Sequence, residues 1–218
     1  MIREKGLTER SEMKSEADAV DCDMEVHPWE PFIPDNAKVL IMGTFPPKSH
    51  RWSMDFYYPN RSNDFWKVMG IIFYDNPTAL YDVEKRSYRL EMIKELLCRE
   101  GIAMNDTGYK VRRLRGNASD KFLEIVEPVD LARLLGMMPD CNTVATTGEK
   151  AAAVVASITG TIVPKTGEYV DTFYAPADRQ LRIWRLPSTS RAYPLAPEKK
   201  AAFYRRMFDD VRNFGGKI

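Results

Sequence analysis

Val39-Leu-Ile-Met-Gly-Thr-Phe-Pro-Pro47 is the stretch on which the fold turns. Its first part lies in an apolar run, Lys38–Met42, that lacks the polar alternation of a half-exposed strand. Such a run reads as a strand buried on both faces of a parallel sheet. It stops at Gly43-Thr44-Phe45-Pro46-Pro47, and an aromatic loop carrying Tyr57 and Tyr58 follows. Ser62 or Asn63 then supplies an N-cap for a helix near Asp64–Phe73. A second apolar run, Leu181–Leu186, breaks at Pro187 into Ser188-Thr189-Ser190-Arg191. Two parallel strands whose C-terminal ends open into such loops can face each other across one cleft, where open α/β sheets keep their ligands.

Working outward, two more strands are expected at Gly101–Met104 and Asn142–Thr146. Helices are expected near Tyr88–Arg99, Asp120–Val126, Val129–Met137 and Glu149–Ser157, with a closing amphipathic helix from Pro197 to about Asn213. Gly101 supplies the left-handed stop of the second helix, and Pro197 suits a first turn. Strands alternating with helices imply right-handed βαβ units. The expected fold is a three-layer α/β/α sandwich with a mainly parallel, four-stranded central sheet. Ligand chemistry should gather in the loops Gly43–Asn63, Asn105–Gly116, Thr147–Gly148 and Pro187–Arg191, all on one sheet edge. Residues 1–25 alternate basic with acidic side chains and carry no aromatic residue. They are expected to form a flexible tail ahead of one domain over 26–218.

The 218 residues can bury a substantial core, and 44% hydrophobic with 29% charged residues is the balance of a soluble globular protein. No apolar run approaches the roughly 20 residues of a membrane span, and the N-terminus has no signal-type apolar region. A cytoplasmic monomer with no membrane partner is the expectation. Cys22, Cys98 and Cys141 are scattered without CxxC or CxH spacing, and His27 and His50 are the only histidines. This argues against an iron–sulfur cluster, a structural zinc or a histidine-based metal site. A net charge of +1 gives no global pull toward nucleic acid, so local clusters matter more. Three stand near strand ends: Lys110, Arg112, Arg113 and Arg115; Arg182, Arg185 and Arg191; and Lys48, His50, Arg51 and Arg61. Each also reads as a solvated face.

The loop after the first strand is not a phosphate cradle. It lacks the glycine pattern, and its prolines remove N–H donors. Phe45 offers either a flat face for an aromatic ligand or a plug for the core. Asn63 offers either a helix cap or an amide that holds a water molecule. A serine nucleophile at Ser188 or Ser190 lacks a GxSxG elbow and a nearby base in sequence.

Taken together, these motifs resemble the uracil-DNA glycosylase superfamily, and within it the hypoxanthine-DNA glycosylase-like branch. Three pieces carry the resemblance: Gly43-Thr-Phe-Pro46, Tyr57-Tyr58 followed by Asn63-Asp-Phe-Trp66, and Leu186-Pro-Ser-Thr-Ser190. Weaker echoes are Gly101-Ile-Ala-Met-Asn-Asp106 and Gly148-Glu-Lys-Ala151. The similarity spans roughly His27 to Phe208.

The resemblance implies a monofunctional DNA glycosylase that flips a deaminated base, hypoxanthine or uracil, out of the helix and hydrolyses its N-glycosidic bond. It implies that Asn63 positions the water, since Phe45 occupies the place where uracil-specific relatives carry a polar residue. Phe45 would stack on the base and Asp106 would read its edge, with Gly43, Thr44 and Tyr58 also lining the base pocket. Pro187, Ser188, Thr189, Ser190 and Arg191 would engage DNA containing the damaged base. No metal or organic cofactor is implied. Three departures are Pro47 in place of glycine, Asn60-Arg61-Ser62 ahead of Asn63, and Thr147 before Gly148. The first two leave open a module of the same fold that binds nucleic acid or nucleotides without cleaving them. A hydrolase of free nucleosides is a third reading.

Overall fold

The computed structural model describes residues 24–114 and 122–214. In chain order the elements are β1 (Met24–Val26), β2 (Val39–Gly43), α1 (Phe65–Tyr74), β3 (Tyr81–Asp82), β4 (Ser87–Tyr88), α2 (Leu90–Glu100), β5 (Ile102–Asp106) and β6 (Gly108–Arg113). They continue as β7 (Leu123–Pro128), α3 (Leu131–Gly136), β8 (Thr143–Thr147), α4 (Glu149–Thr159), β9 (Glu168–Tyr174), β10 (Arg179–Leu186) and α5 (Pro197–Phe214).

The central sheet runs in the order β5-β2-β8-β10-β9. The four strands expected from sequence are its parallel part, with β2 paired to β5 and β8, and β8 to β10. The sheet has five strands, however, because β9 folds back antiparallel on β10 at the edge. That strand, EYVDTFY, has no continuous apolar run. Only Tyr174 is buried, as suits an edge.

Alternation along the strands sends side chains to two cores. Val39, Ile41, Trp184 and Leu186 pack with α1, α2 and α5. Leu40, Met42, Leu181 and Ile183 pack with α3 and α4 on the other face. Burying each such side chain contributes roughly 1.5–3 kcal/mol, and helices thus cover both faces of a mixed sheet.

Two expectations fail around a second, three-stranded antiparallel sheet, β1-β6-β7. The helix expected at Asp120–Val126 is β7 from Leu123 onward. Ile125 pairs with Val111, and the period-two pattern of Leu123 and Ile125 governs. The loop expected at Asn105–Gly116 is mostly the end of β5 followed by β6; Arg115 and Gly116 lie outside the described residues. The tail expected over 1–25 also lies outside them, except for Met24 and Glu25. These two pair with β6, and Glu25 accepts from Arg113 Nε at 2.7 Å.

Chain order and sheet order together create the site. After β2 the chain steps to β5 on one side, then to β8 on the other, so a switch point lies between β2 and β8. Register brings Gly43 opposite Asp106, and Leu186 opposite Thr147, at the C-terminal rim.

Candidate active site

A pocket of about 790 Å³ opens at that rim. Its lining includes Gly43, Thr44, Phe45, Tyr58, Asn63, Asp106, Ser188, Thr189, Ser190 and Arg191. Apart from Pro187, every residue that sequence reasoning named for the site therefore shares one cavity. Pro187 is buried beside it, and its carbonyl accepts from the Tyr204 hydroxyl at 3.1 Å.

The Phe-Pro-Pro loop is pinned through its carbonyls, since its prolines have no N–H to offer. Arg113, buried, donates from Nη2 to the Pro46 carbonyl at 2.7 Å, and Trp52 Nε1 donates to the Pro47 carbonyl at 2.7 Å. The Arg113 guanidinium also lies 5.6 Å from the Phe45 ring centre, and His27 meets that ring at 5.5 Å in a perpendicular arrangement. Phe45 is half-buried and lines the cavity, which is the ligand-facing option of the two open to it.

Gly43 is required by close approach. A Cβ there would fall 2.6 Å from Asp106 Oδ1 and 3.1 Å from the Tyr58 hydroxyl. Tyr58 adopts φ +52°, a left-handed conformation that costs a non-glycine residue about 1–3 kcal/mol. It is held by stacking on Phe65 at 3.9 Å and by a 2.7 Å hydrogen bond between its hydroxyl and that of Thr147. Backbone strain held in this way marks functional sites. Gly148, at φ +115°, then turns the chain from β8 into α4 against Ser188.

Asn63 departs from the simple water-holding arrangement. Its Oδ1 accepts the Phe65 N–H at 2.9 Å, so the amide oxygen caps α1. Capping leaves a second lone pair on Oδ1, and Nδ2 has no hydrogen-bond partner among the described residues.

The hydroxyl-rich loop is anchored from beneath. Thr189, buried, accepts the Asp64 N–H through its carbonyl at 2.8 Å. Lys200, fully buried on α5, donates to Asp64 Oδ2 at 2.8 Å and to the Ser190 carbonyl at 3.3 Å. Lys67 donates to Asp64 Oδ1 at 3.0 Å. Burial would raise the Asp64 pKa, but these two ammonium groups outweigh it and hold the carboxyl below its ordinary value. The hydroxyls of Ser188 and Ser190 accept local backbone N–H groups, from Ser190 and Ala192.

Five cations of two basic clusters are neutralised. Lys110 pairs with Glu127, Arg112 with Glu124 and Arg113 with Glu25. Arg182 pairs with Asp171 and Asp210, and Arg185 with Glu149. Arg51 and Arg191 at the pocket make no ion pair among the described residues, nor do Lys48 and Arg61. Positive charge thus remains where the cavity opens. No three His, Cys, Asp or Glu side chains cluster at metal-binding distance among the described residues, and none of their helices is long and apolar enough to cross a membrane.

Sequence reasoning missed His27. Its imidazole, 5% exposed, places Nε2 3.1 Å from Asp106 Oδ2. The segment from Val26 to Trp29 is held beside β6, where His27 N–H donates to the Tyr109 carbonyl. A signal existed in a lone histidine beside Pro28 and Trp29, but nothing local says which carboxylate it meets.

No protein-family model matches the chain, and no curated protein does. In fold it is similar to an NMR structure of a Methanosarcina acetivorans protein provisionally described as a uracil DNA glycosylase. The TM-score is 0.58 at 19% identity, covering 87% of this chain and 99% of that one. The likeness establishes a shared α/β fold and does not extend to the hypoxanthine branch.

Proposed function

We propose that the protein is a DNA glycosylase that removes a deaminated base, hypoxanthine or uracil, from DNA. One observation carries this reading. Phe45, Asp106, Asn63 and the Ser188–Arg191 loop, drawn from four separate segments, line a single cavity of nucleoside size. The fold shared with the Methanosarcina protein agrees with it.

In this mechanism the target nucleotide leaves the base stack and enters the pocket. Phe45 stacks on the base, and Asp106 accepts a hydrogen bond from its edge. Arg191 and Arg51 at the mouth attract phosphates, which makes binding salt-dependent. As the glycosidic bond breaks, positive charge develops on the sugar and negative charge on the base, and water attacks C1′. Asn63 orients that water through its remaining lone pair or its Nδ2. An amide is too weak a base to deprotonate water early, so orientation and fixed dipoles supply most of the rate.

The experiment is a panel of duplex and single-stranded oligonucleotides carrying uracil, hypoxanthine, xanthine or ethenocytosine, scored for alkali-labile abasic sites. Release of at least one deaminated base, lost in Asn63→Ala, is expected. Unchanged activity in Asn63→Ala would reject the mechanism. The capping bond from Phe65 N–H to Asn63 Oδ1 favours one alternative, a module of this fold that binds nucleic acid without cleaving it. Salt-dependent DNA binding with no base released from any substrate would select that alternative.

A further inference from the structure

His27 is a buried titratable group at the pocket to which the mechanism above gives no role. Both of its ring nitrogens are engaged. Nε2 faces Asp106 Oδ2 at 3.1 Å, while Nδ1 lies 2.9 Å from the Trp29 carbonyl and 3.3 Å from the Trp29 N–H. When the ring is charged, Nδ1–H donates to that carbonyl. When it is neutral, Nδ1 accepts that N–H. Nε2–H can donate to Asp106 in both states. The ring plane is held as well, by stacking on Tyr57 at 5.7 Å and by edge contacts to Phe45 and Trp29.

The charged and titratable groups around His27 come from several elements. Asp106 lies on β5, Glu30 follows on its own segment, and Tyr57 comes from the loop before α1. Arg113 on β6 reaches the same Phe45 ring. Burial alone would lower the His27 pKa, but the hydrogen bond and charge of Asp106, with smaller help from the Trp29 backbone and Glu30, raise it above its ordinary 6.5. Burial and the same acids push the Tyr57 hydroxyl far up, so it stays neutral.

We propose that His27 is the positioning residue for Asp106. It ties down Oδ2 and leaves Oδ1 over Gly43 on the pocket side, and when protonated it balances the carboxylate with a positive charge. The pocket is thereby set to take bases that present a ring N–H. A carboxylate oxygen offers only lone pairs, so it accepts the N–H of hypoxanthine or uracil. Against the ring nitrogen of adenine or cytosine it would set lone pair against lone pair. Deamination creates that N–H. Below its titration, the imidazolium also offsets the repulsion between Asp106 and the negative charge on the departing base. The inference rests on the proposed function and adds to it the edge by which substrates are chosen.

The test measures single-turnover base release by wild type, His27→Phe, His27→Gln and Asp106→Asn. Duplexes carry hypoxanthine or uracil, or the same bases methylated on the ring N–H. Wild type is expected to release the unmethylated bases and fail on the methylated ones. His27→Phe is expected to lose about 10- to 100-fold in rate, the equivalent of one charge-assisted hydrogen bond. His27→Gln, which keeps a donor without the charge, is expected to recover part of that loss. It should also lack the decline in rate that wild type shows as pH rises through the His27 titration.

NMR titration provides a readout independent of activity, since the chain has two histidines. The His27 pKa, above 6.5 in wild type, should fall in Asp106→Asn. Wild type inactive on every substrate refutes the proposed function, and the inference with it. Wild-type rates and pH profile in His27→Phe, with Asp106→Asn impaired, overturn the role of His27 alone. An unmoved histidine titration in Asp106→Asn also overturns it, whatever the activity.

Discussion

Replacing Lys200 with methionine tests the anchor on which the pocket loop depends. The Lys200 ammonium is fully buried and holds Asp64 Oδ2 at 2.8 Å and the Ser190 carbonyl at 3.3 Å. Methionine fills similar space but leaves a mostly buried carboxylate short of one partner. Removing one member of a buried ion pair costs about 3–5 kcal/mol. Asp64 keeps Lys67 at 3.0 Å, on a side chain 43% exposed, so the loss should fall somewhat lower, at about 2–4 kcal/mol. For a chain of this size each kcal/mol moves Tm by about 2–4 °C, giving an expected drop of about 4–16 °C. Thermal and urea unfolding monitored by circular dichroism would measure it. The double variant Asp64→Asn/Lys200→Met should lose less than the sum of the two single variants, because the coupling has been removed from both sides. A Tm within 1 °C of wild type in Lys200→Met, or strict additivity in the double variant, would refute the reasoning.

The pH dependence of that pair has a definite sign. The Asp64 carboxyl is held below its ordinary 3.8, so its stabilisation is present above that value and lost as pH falls through the lower folded value. The Tm gap between wild type and Lys200→Met should therefore narrow below about pH 4. Gly43→Ala puts a Cβ 2.6 Å from Asp106 Oδ1, where ordinary contact begins at 3.4 Å. It is expected to cost at least about 10-fold in base release, as loss of one charged hydrogen bond would, and wild-type rates would contradict the close packing at the rim. Asn63→Ala should lose about 1 kcal/mol of stability with the cap, whereas Asn63→Asp should keep it. Equal Tm values for the two would contradict the capping bond. Arg113→Ala releases the Pro46 carbonyl and the Phe45 ring, and should weaken base binding more than it changes the rate of bound substrate. A change confined to that rate would contradict a role in holding the stacking face.

The sequence carried the parallel strands and the order of the loops because these features are local. Lys38–Met42 is apolar without alternation, which burial on both faces requires, and a strand that ends in Gly-Thr-Phe-Pro-Pro cannot continue its ladder through the prolines. Given four such strands in a βαβ order, their parallel direction alone puts Gly43, Asp106, Thr147 and Pro187 on one edge. That is why the loops lining the cavity were legible as neighbours, whereas the individual residues within them came from the family resemblance. The short antiparallel strands were hidden for the opposite reason. Gly108–Arg113 and Leu123–Pro128 bury few side chains, and their exposed positions carry cross-strand charges such as Lys110 and Glu127 in place of an apolar run.

Tertiary structure alone decided which charges are spent and which remain. Arg112, Arg113, Arg182 and Arg185 belong to basic clusters that in sequence read either as a local pull on nucleic acid or as a solvated face. Each meets carboxylates between 11 and 88 positions away in the chain, and no local pattern encodes such a meeting. The same holds for His27, which finds Asp106 79 positions on, and for Lys200, which finds Asp64 136 positions back. Periodicity reports how a segment meets water, so it reveals strands, helices and the loops between them. The partner of a buried ionisable group depends on how those elements pack, and only folding settles that choice.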